Sequence, residues 1–334
     1  MNKSILSVTL LVLLFVSSIE TFAQKQIVRR VPNEPVVPQK QAQPTKTPTH
    51  HAPKKNSGKK KRGYDYVAEY SEGLARVYND YNWGFIDKSG TLVIPCKYED
   101  ARSFSEGLAS VRPNYLWGFI DKSGTEIIPC KYFNAHSFHE GLASVDLPNG
   151  GYGFIDKSGT EIIPCKYEDA QDFSEGLAPI KSDGKWGFID KSGNEIIPCK
   201  YNRAHSFSEG LANVCLNYKW GFIDKSGTEI IPCKYDWAFS FREGLAGVRL
   251  NDKYGFIDKS GTLVIPCKYD GVDSFREGLA PIGLNGKWGF INKSGTKVIP
   301  CKYDVVYPFR NGRAKVELNG KQGYVNKSGV ETWN

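Results

Sequence analysis

The chain has 334 residues, 40% of them hydrophobic and 24% charged, with a formal net charge of +8. That charge belongs to the first 63 residues, where twelve Lys and Arg face two Asp and Glu. The remaining 271 residues carry −2, which excludes a basic nucleic-acid surface there.

Lys3, the apolar run Ile5 to Val16 and Thr21-Phe22-Ala23 form the layout of a secretory signal peptide over residues 1–23. The apolar run is shorter than the ~20 residues of a bilayer span, so stable membrane insertion after cleavage is not expected. The mature protein is expected to be exported, to the periplasm or outside the cell. Residues 24–63 hold prolines at 32, 35, 38, 44, 48 and 53 and the basic runs Lys54-Lys55 and Lys59 to Arg62. This composition buries no core and predicts a disordered, semi-extended linker.

From residue 64 the chain repeats. Trp83-Gly84 returns at Trp117-Gly118, Tyr152, Trp186-Gly187, Trp220-Gly221, Tyr254, Trp288-Gly289 and Gln322, at intervals of 34 or 35 residues. Modules starting at Tyr64, Tyr98, Tyr132, Tyr167, Tyr201, Tyr235, Tyr269 and Tyr303 fill residues 64–334 without remainder. Their consensus is YxxAxSFSEGLAxVxxNxKWGFIDKSGTEIIPCK.

Each module shows three strand signals, as at Gly107 to Val111, Lys185 to Ile189 and Glu195 to Cys199. Asn-Gly or Asn-Asp pairs such as Asn285-Gly286 and Asn251-Asp252 mark a hairpin between the first and second. Asp-Lys-Ser-Gly marks a type I turn plus bulge between the second and third. No stretch keeps a helical period. The expected fold is therefore all-β, a tandem array of eight three-stranded antiparallel modules in an open superhelical stack, or alternatively a closed eight-bladed, propeller-like ring. The Gly after Trp predicts a bulge or a close neighbour, with an adjacent bulky ring over its bare backbone. Pro in the third strand, as at Pro129 and Pro232, predicts an edge or bulge.

Seven of the eight cysteines occupy one module position: Cys96, Cys130, Cys165, Cys199, Cys233, Cys267 and Cys301. Equivalent cysteines in sheets ~10 Å apart are too distant to bridge, so they read as buried, unbridged thiols. Cys215 lies in another strand. CxxC and close Cys/His spacing are missing, so no metal is expected. The Asp of Asp-Lys-Ser-Gly reads as a turn former rather than a calcium ligand. No phosphate loop, nucleophile elbow or carboxylate pair stands out, and neither a catalytic residue nor a cofactor is expected. The Trp-Gly-Phe stripe reads as core; were the rings exposed, they would form sugar-binding slots. One column varies while its surroundings repeat: Arg102, His136, Gln171, His205, Phe239, Asp273 and Tyr307. These are the candidate partner-facing residues.

Together, Trp-Gly, Asp-Lys-Ser-Gly, Ile-Pro and Glu-Gly-Leu over residues 64–334 resemble the WG-repeat (KWG-repeat) family of bacterial proteins. Departures are Tyr152 and Tyr254 for Trp, and Gln322, Tyr324 and Glu331 to Asn334 in the last module, which read as a cap. The resemblance implies a β-rich repeat protein and no particular activity. The expected role is that of a non-catalytic scaffold presenting variable loops to a protein, with binding to a cell-envelope polysaccharide as the alternative.

Overall fold

A computed structural model describes residues 63–148 and 150–333. The signal peptide expected at 1–23, and all but the last residue of the linker expected at 24–63, lie outside the described residues. Sheet 1 is an antiparallel meander in the order β1 (Tyr66–Ser71), β2 (Leu74–Asn79), β3 (Asn82–Asp87) and β4 (Leu92–Tyr98). Sheet 2 repeats it with β5 (Asp100–Ala101), β6 (Ala109–Asn114), β7 (Leu116–Ile120) and β8 (Glu126–Tyr132). Six more four-stranded sheets follow, over 134–167, 169–201, 203–235, 237–269, 271–303 and 305–333.

Eight tandem all-β modules are thus present, but each has four strands rather than three. From sheet 2 onward the added strand is a residue pair such as Asp100-Ala101, which aligns with Arg112 and Val111 of β6. Two residues cannot display the alternation by which a strand is recognised in sequence. The Tyr taken as the start of a module in fact closes the preceding sheet, since Tyr98 pairs with Trp83.

Gly84 shows why the Trp-Gly step repeats. In β4 the register jumps from Ile94, opposite Phe85, to Tyr98, opposite Trp83, so Pro95, Cys96 and Lys97 crowd against this one glycine. A Cβ there would lie 2.6 Å from the Ile94 carbonyl oxygen and 2.7 Å from the Cys96 nitrogen. The close neighbour is therefore the partner strand's backbone and not an aromatic ring. Pro95 sits inside the bulge, where its missing N–H removes no ladder bond. At the other end of β3, Gly90 donates to the Asp87 carbonyl and takes φ 89°, while Asp87 N–H donates to Thr91 O, closing the expected turn and bulge.

The sheets pack face to face and share their cores. Trp117, Phe119, Ile128 and Tyr132 of sheet 2 bury against Ala135, Phe138, Ala143, Val145 and Ile155 of sheet 3. At the centre Phe119 meets Phe138 with ring centroids 4.9 Å apart, and equivalent pairs recur at all seven consecutive interfaces, from Phe85–Phe104 to Phe290–Phe309. Such pairs add ~0.5–1.5 kcal/mol beyond the area they bury.

A polar clamp accompanies each core. Glu106 occupies the first central position of a two-residue hairpin between Ser105 and Leu108, and both Glu106 and Gly107 have positive φ, 53° and 91°. That is type I′ geometry, where Asn, Asp or Gly is the usual choice. Glu serves because its longer carboxylate reaches the next sheet, accepting from Gly141 N–H at 3.0 Å and pairing with Lys157 at 3.0 Å. Glu72, Glu140, Glu175, Glu209, Glu243 and Glu277 make the same two contacts one sheet onward.

Sheet 8 meets sheet 1 differently. Arg310 of the last sheet pairs with Glu69 of the first. The ends of the array therefore come together, which fits the ring rather than the open superhelical stack. The seam is polar: the residue equivalent to the clamping Glu is Asn311, and Gln322 and Tyr324 replace the usual Trp and Phe.

Candidate functional site

The variable column does not gather into one site. Arg102, His136, Gln171 and His205 each reach a residue of the following sheet, and all seven members except the exposed Tyr307 are half-buried. Arg102 stacks over Trp117 at 5.2 Å and donates to Asn134 Oδ1 of sheet 3. Burial lowers its pKa, while Asp100, Asp172 and Tyr152 act the other way. His136 Nδ1 lies 3.3 Å from Asp172 Oδ1, and His139 approaches the same carboxylate at 3.5 Å. Gln171 donates to the Ala204 carbonyl. His205 stacks on Trp220 at 5.1 Å and sits 2.7 Å from Asn213 Nδ2; burial depresses its pKa, although that hydrogen bond opposes the shift. Phe239 packs between Trp237 and Tyr254. Asp273 accepts from Ser274 N–H, and Lys315 lies over the Tyr307 ring. The first four members thus sit where adjacent sheets meet, and much of the column's chemistry is spent on neighbours.

The Trp-Gly rings belong largely to the core. Trp83, Trp117 and Trp220 are buried, while Trp186 and Trp288 are half-buried. All eight cysteines are unbridged; Cys215 is buried, and the seven repeated thiols are half-buried. Burial pushes Cys130, Cys165 and Cys233 up to about 11, with Glu126, Glu161 and Glu229 respectively adding to the shift. Thiols held protonated in this way are poor nucleophiles and poor metal ligands at neutral pH. Among the described residues, no three His, Cys, Asp or Glu side chains gather to hold a metal.

A different set of residues stands out at the opposite ends of the strands, on the hairpins that join the second and third strands of each sheet. Tyr81, Tyr115 and Tyr218 are 80%, 84% and 85% exposed. Their φ values are 66°, 56° and 63°. Other modules place Gly184, Gly286, Gly320 or Asp252 at this turn. A bulky side chain at positive φ is a conformational outlier that costs of order 1 kcal/mol relative to glycine. The clamping Glu residues incur a similar penalty, but their contacts with the next sheet account for it. Among the described residues, the three tyrosine side chains form no hydrogen bond or ring contact that would account for theirs. The sequence signal was present: an aromatic where the repeat favours Asn-Gly or Asn-Asp.

Comparison with known proteins agrees on the architecture. The profile described as "WG containing repeat" matches residues 62–83, 83–116, 117–148, 152–186, 186–220, 220–254, 254–288 and 288–321. No curated protein matches the chain. Among solved structures, a eukaryotic initiation factor superposes with TM-score 0.57 at 9% identity, covering 78% of this chain and 85% of that one. BamB from Moraxella catarrhalis gives 0.49 at 10% identity, covering 80% and 95%. At 9% identity the likeness to the initiation factor concerns the fold alone. The repeated profile, laid over the eight sheets, establishes that the chain belongs to the WG-repeat family.

Proposed function

We propose that the protein is an exported, non-catalytic binding scaffold that holds a protein partner through the hairpin tips of its sheets. The observation that carries this reading is the trio Tyr81, Tyr115 and Tyr218, exposed at positive φ with no side-chain hydrogen bond or ring contact among the described residues. Tyrosine gives large contact area for little lost rotamer freedom and is enriched where proteins bind one another. A fold that tolerates glycine at the same turns in other modules gains nothing from tyrosine there. The export half of the proposal rests on the N-terminal sequence.

The test is capture from cell-envelope extracts by the wild-type chain and by the triple variant Tyr81→Gly/Tyr115→Gly/Tyr218→Gly. Relief of positive-φ strain should leave the variant at least as stable, by up to about 1 kcal/mol per site. A protein held by the wild type should be lost from the variant. Equal retention by both would refute the proposal. Tyrosine-dependent retention of purified polysaccharide instead would assign the alternative ligand.

A further inference from the structure

At the other ends of the strands, the turns of sheets 5 to 8 that correspond to Ser105-Glu106-Gly107 line a shared cavity of about 600 Å³. That volume falls in the usual range for small-molecule sites. Its lining includes Ser208, Arg242, Arg276 and Arg310, which occupy one position of four successive turns. At this position Ser71, Ser105, Ser174 and Ser208 each donate from Oγ to a phenylalanine carbonyl of the next sheet, at 2.7 or 2.8 Å. Three consecutive modules give up that bond for a guanidinium.

The glutamates lining the cavity do not neutralise these arginines. Glu209, Glu243 and Glu277 are engaged by Lys259, Lys293 and Lys327 and by a glycine N–H of the following sheet. Arg310 is taken up by Glu69 at the seam. Arg242 and Arg276 form no ion pair among the described residues and keep their guanidinium donors free. Two adjacent unpaired guanidinium groups suit planar oxyanions, which they bind through paired N–H donors.

We propose that this cavity is an anion site, taking a small molecule or chain end with more than one carboxylate or phosphate group through Arg242 and Arg276. It is independent of the tyrosine tips, which lie at the opposite ends of the strands, so either proposal can fail alone.

Calorimetric titration of the full chain with pyrophosphate and, separately, with citrate tests it and distinguishes phosphate from carboxylate. The comparison protein is Arg242→Ser/Arg276→Ser, which restores the residue of four other modules and, with it, a hydrogen bond to the next sheet. Binding to at least one probe should weaken about tenfold or more in that variant, and should fall with added salt in the wild type. Arg276→Gln, which removes the charge but keeps a polar side chain, should weaken the same probe and serves if the double variant is unstable. The proposal is overturned if neither probe binds at millimolar concentration, or if the variants bind as tightly as the wild type.

Discussion

Between sheets 2 and 3, Phe119 meets Phe138 in a fully buried pair, and Glu106 clamps Gly141 and Lys157. At the meeting of sheets 8 and 1 the corresponding residues are Tyr324 and Tyr70, the latter 44% exposed, and Asn311 in place of the clamping glutamate. Sheet 1 retains the small buried cluster Ala75, Val77 and Ile86, and the only ion pair joining the two sheets among the described residues is Arg310–Glu69 between exposed side chains. Exposed pairs contribute ~0–1 kcal/mol. The same strand positions therefore build seven apolar interfaces and one polar seam. Identical modules would offer the same apolar face at each end of the array; the divergent eighth module closes the array without doing so.

The largest effect that should separate the two regions comes from the aromatic pair. Phe119→Ala should cost about 3–5 kcal/mol in chemical denaturation, as expected of a fully buried phenylalanine. Tyr324→Ala at the seam should cost about 1 kcal/mol or less. Comparable losses would show that the seam is packed like the other interfaces.

The clamp should give smaller effects, in opposite directions at the two places. Glu106→Gln should destabilise by about 1 kcal/mol, because Gly141 N–H and Lys157 lose a charged acceptor. Asn311→Glu should stabilise by up to about 1 kcal/mol, since Gly73 and Lys88 of sheet 1 hold the positions of the usual partners. Acid should mimic the first change. Burial raises the Glu106 pKa, but the Lys157 and glycine contacts outweigh it and leave the carboxyl below its ordinary 4.5; Glu72, Glu140 and Glu277 are likewise lowered. A carboxyl depressed in the folded state contributes fully above its unfolded value and loses that contribution as pH falls through the folded value. Thermal melts should therefore decline below about pH 4.5, and by less in Glu106→Gln.

Local devices were legible in the sequence, because they depend on residues close together in the chain. The Gly90 turn, the bulge at Pro95 and the period itself can be read that way. Gly84 was recognised as a point of close approach, but sequence could not name the neighbour, since a bulge in β4 is a property of register. The two-residue strand Asp100-Ala101 is too short for any pattern. The clamp leaves a trace in the sequence only as a column: Glu in the first seven turns of this type and Asn in the eighth mark a contact that every sheet but the last makes. Ring closure joins residues 69 and 310, a separation at which no local pattern reports. The variable column is visible in the sequence, while the contacts of Arg102, His136, Gln171 and His205 with the following sheet follow only from how faces pair; the tyrosine tips leave no repeat signal, since only three of eight modules carry them.

Small-angle X-ray scattering of the array from residue 63 onward tests the closure most directly. Eight sheets stacked in a line at ~10 Å spacing would make a rod of roughly 80 Å. The Arg310–Glu69 contact predicts instead a compact, disc-like particle in which the first and last sheets are neighbours, and a rod-like scattering profile would contradict it.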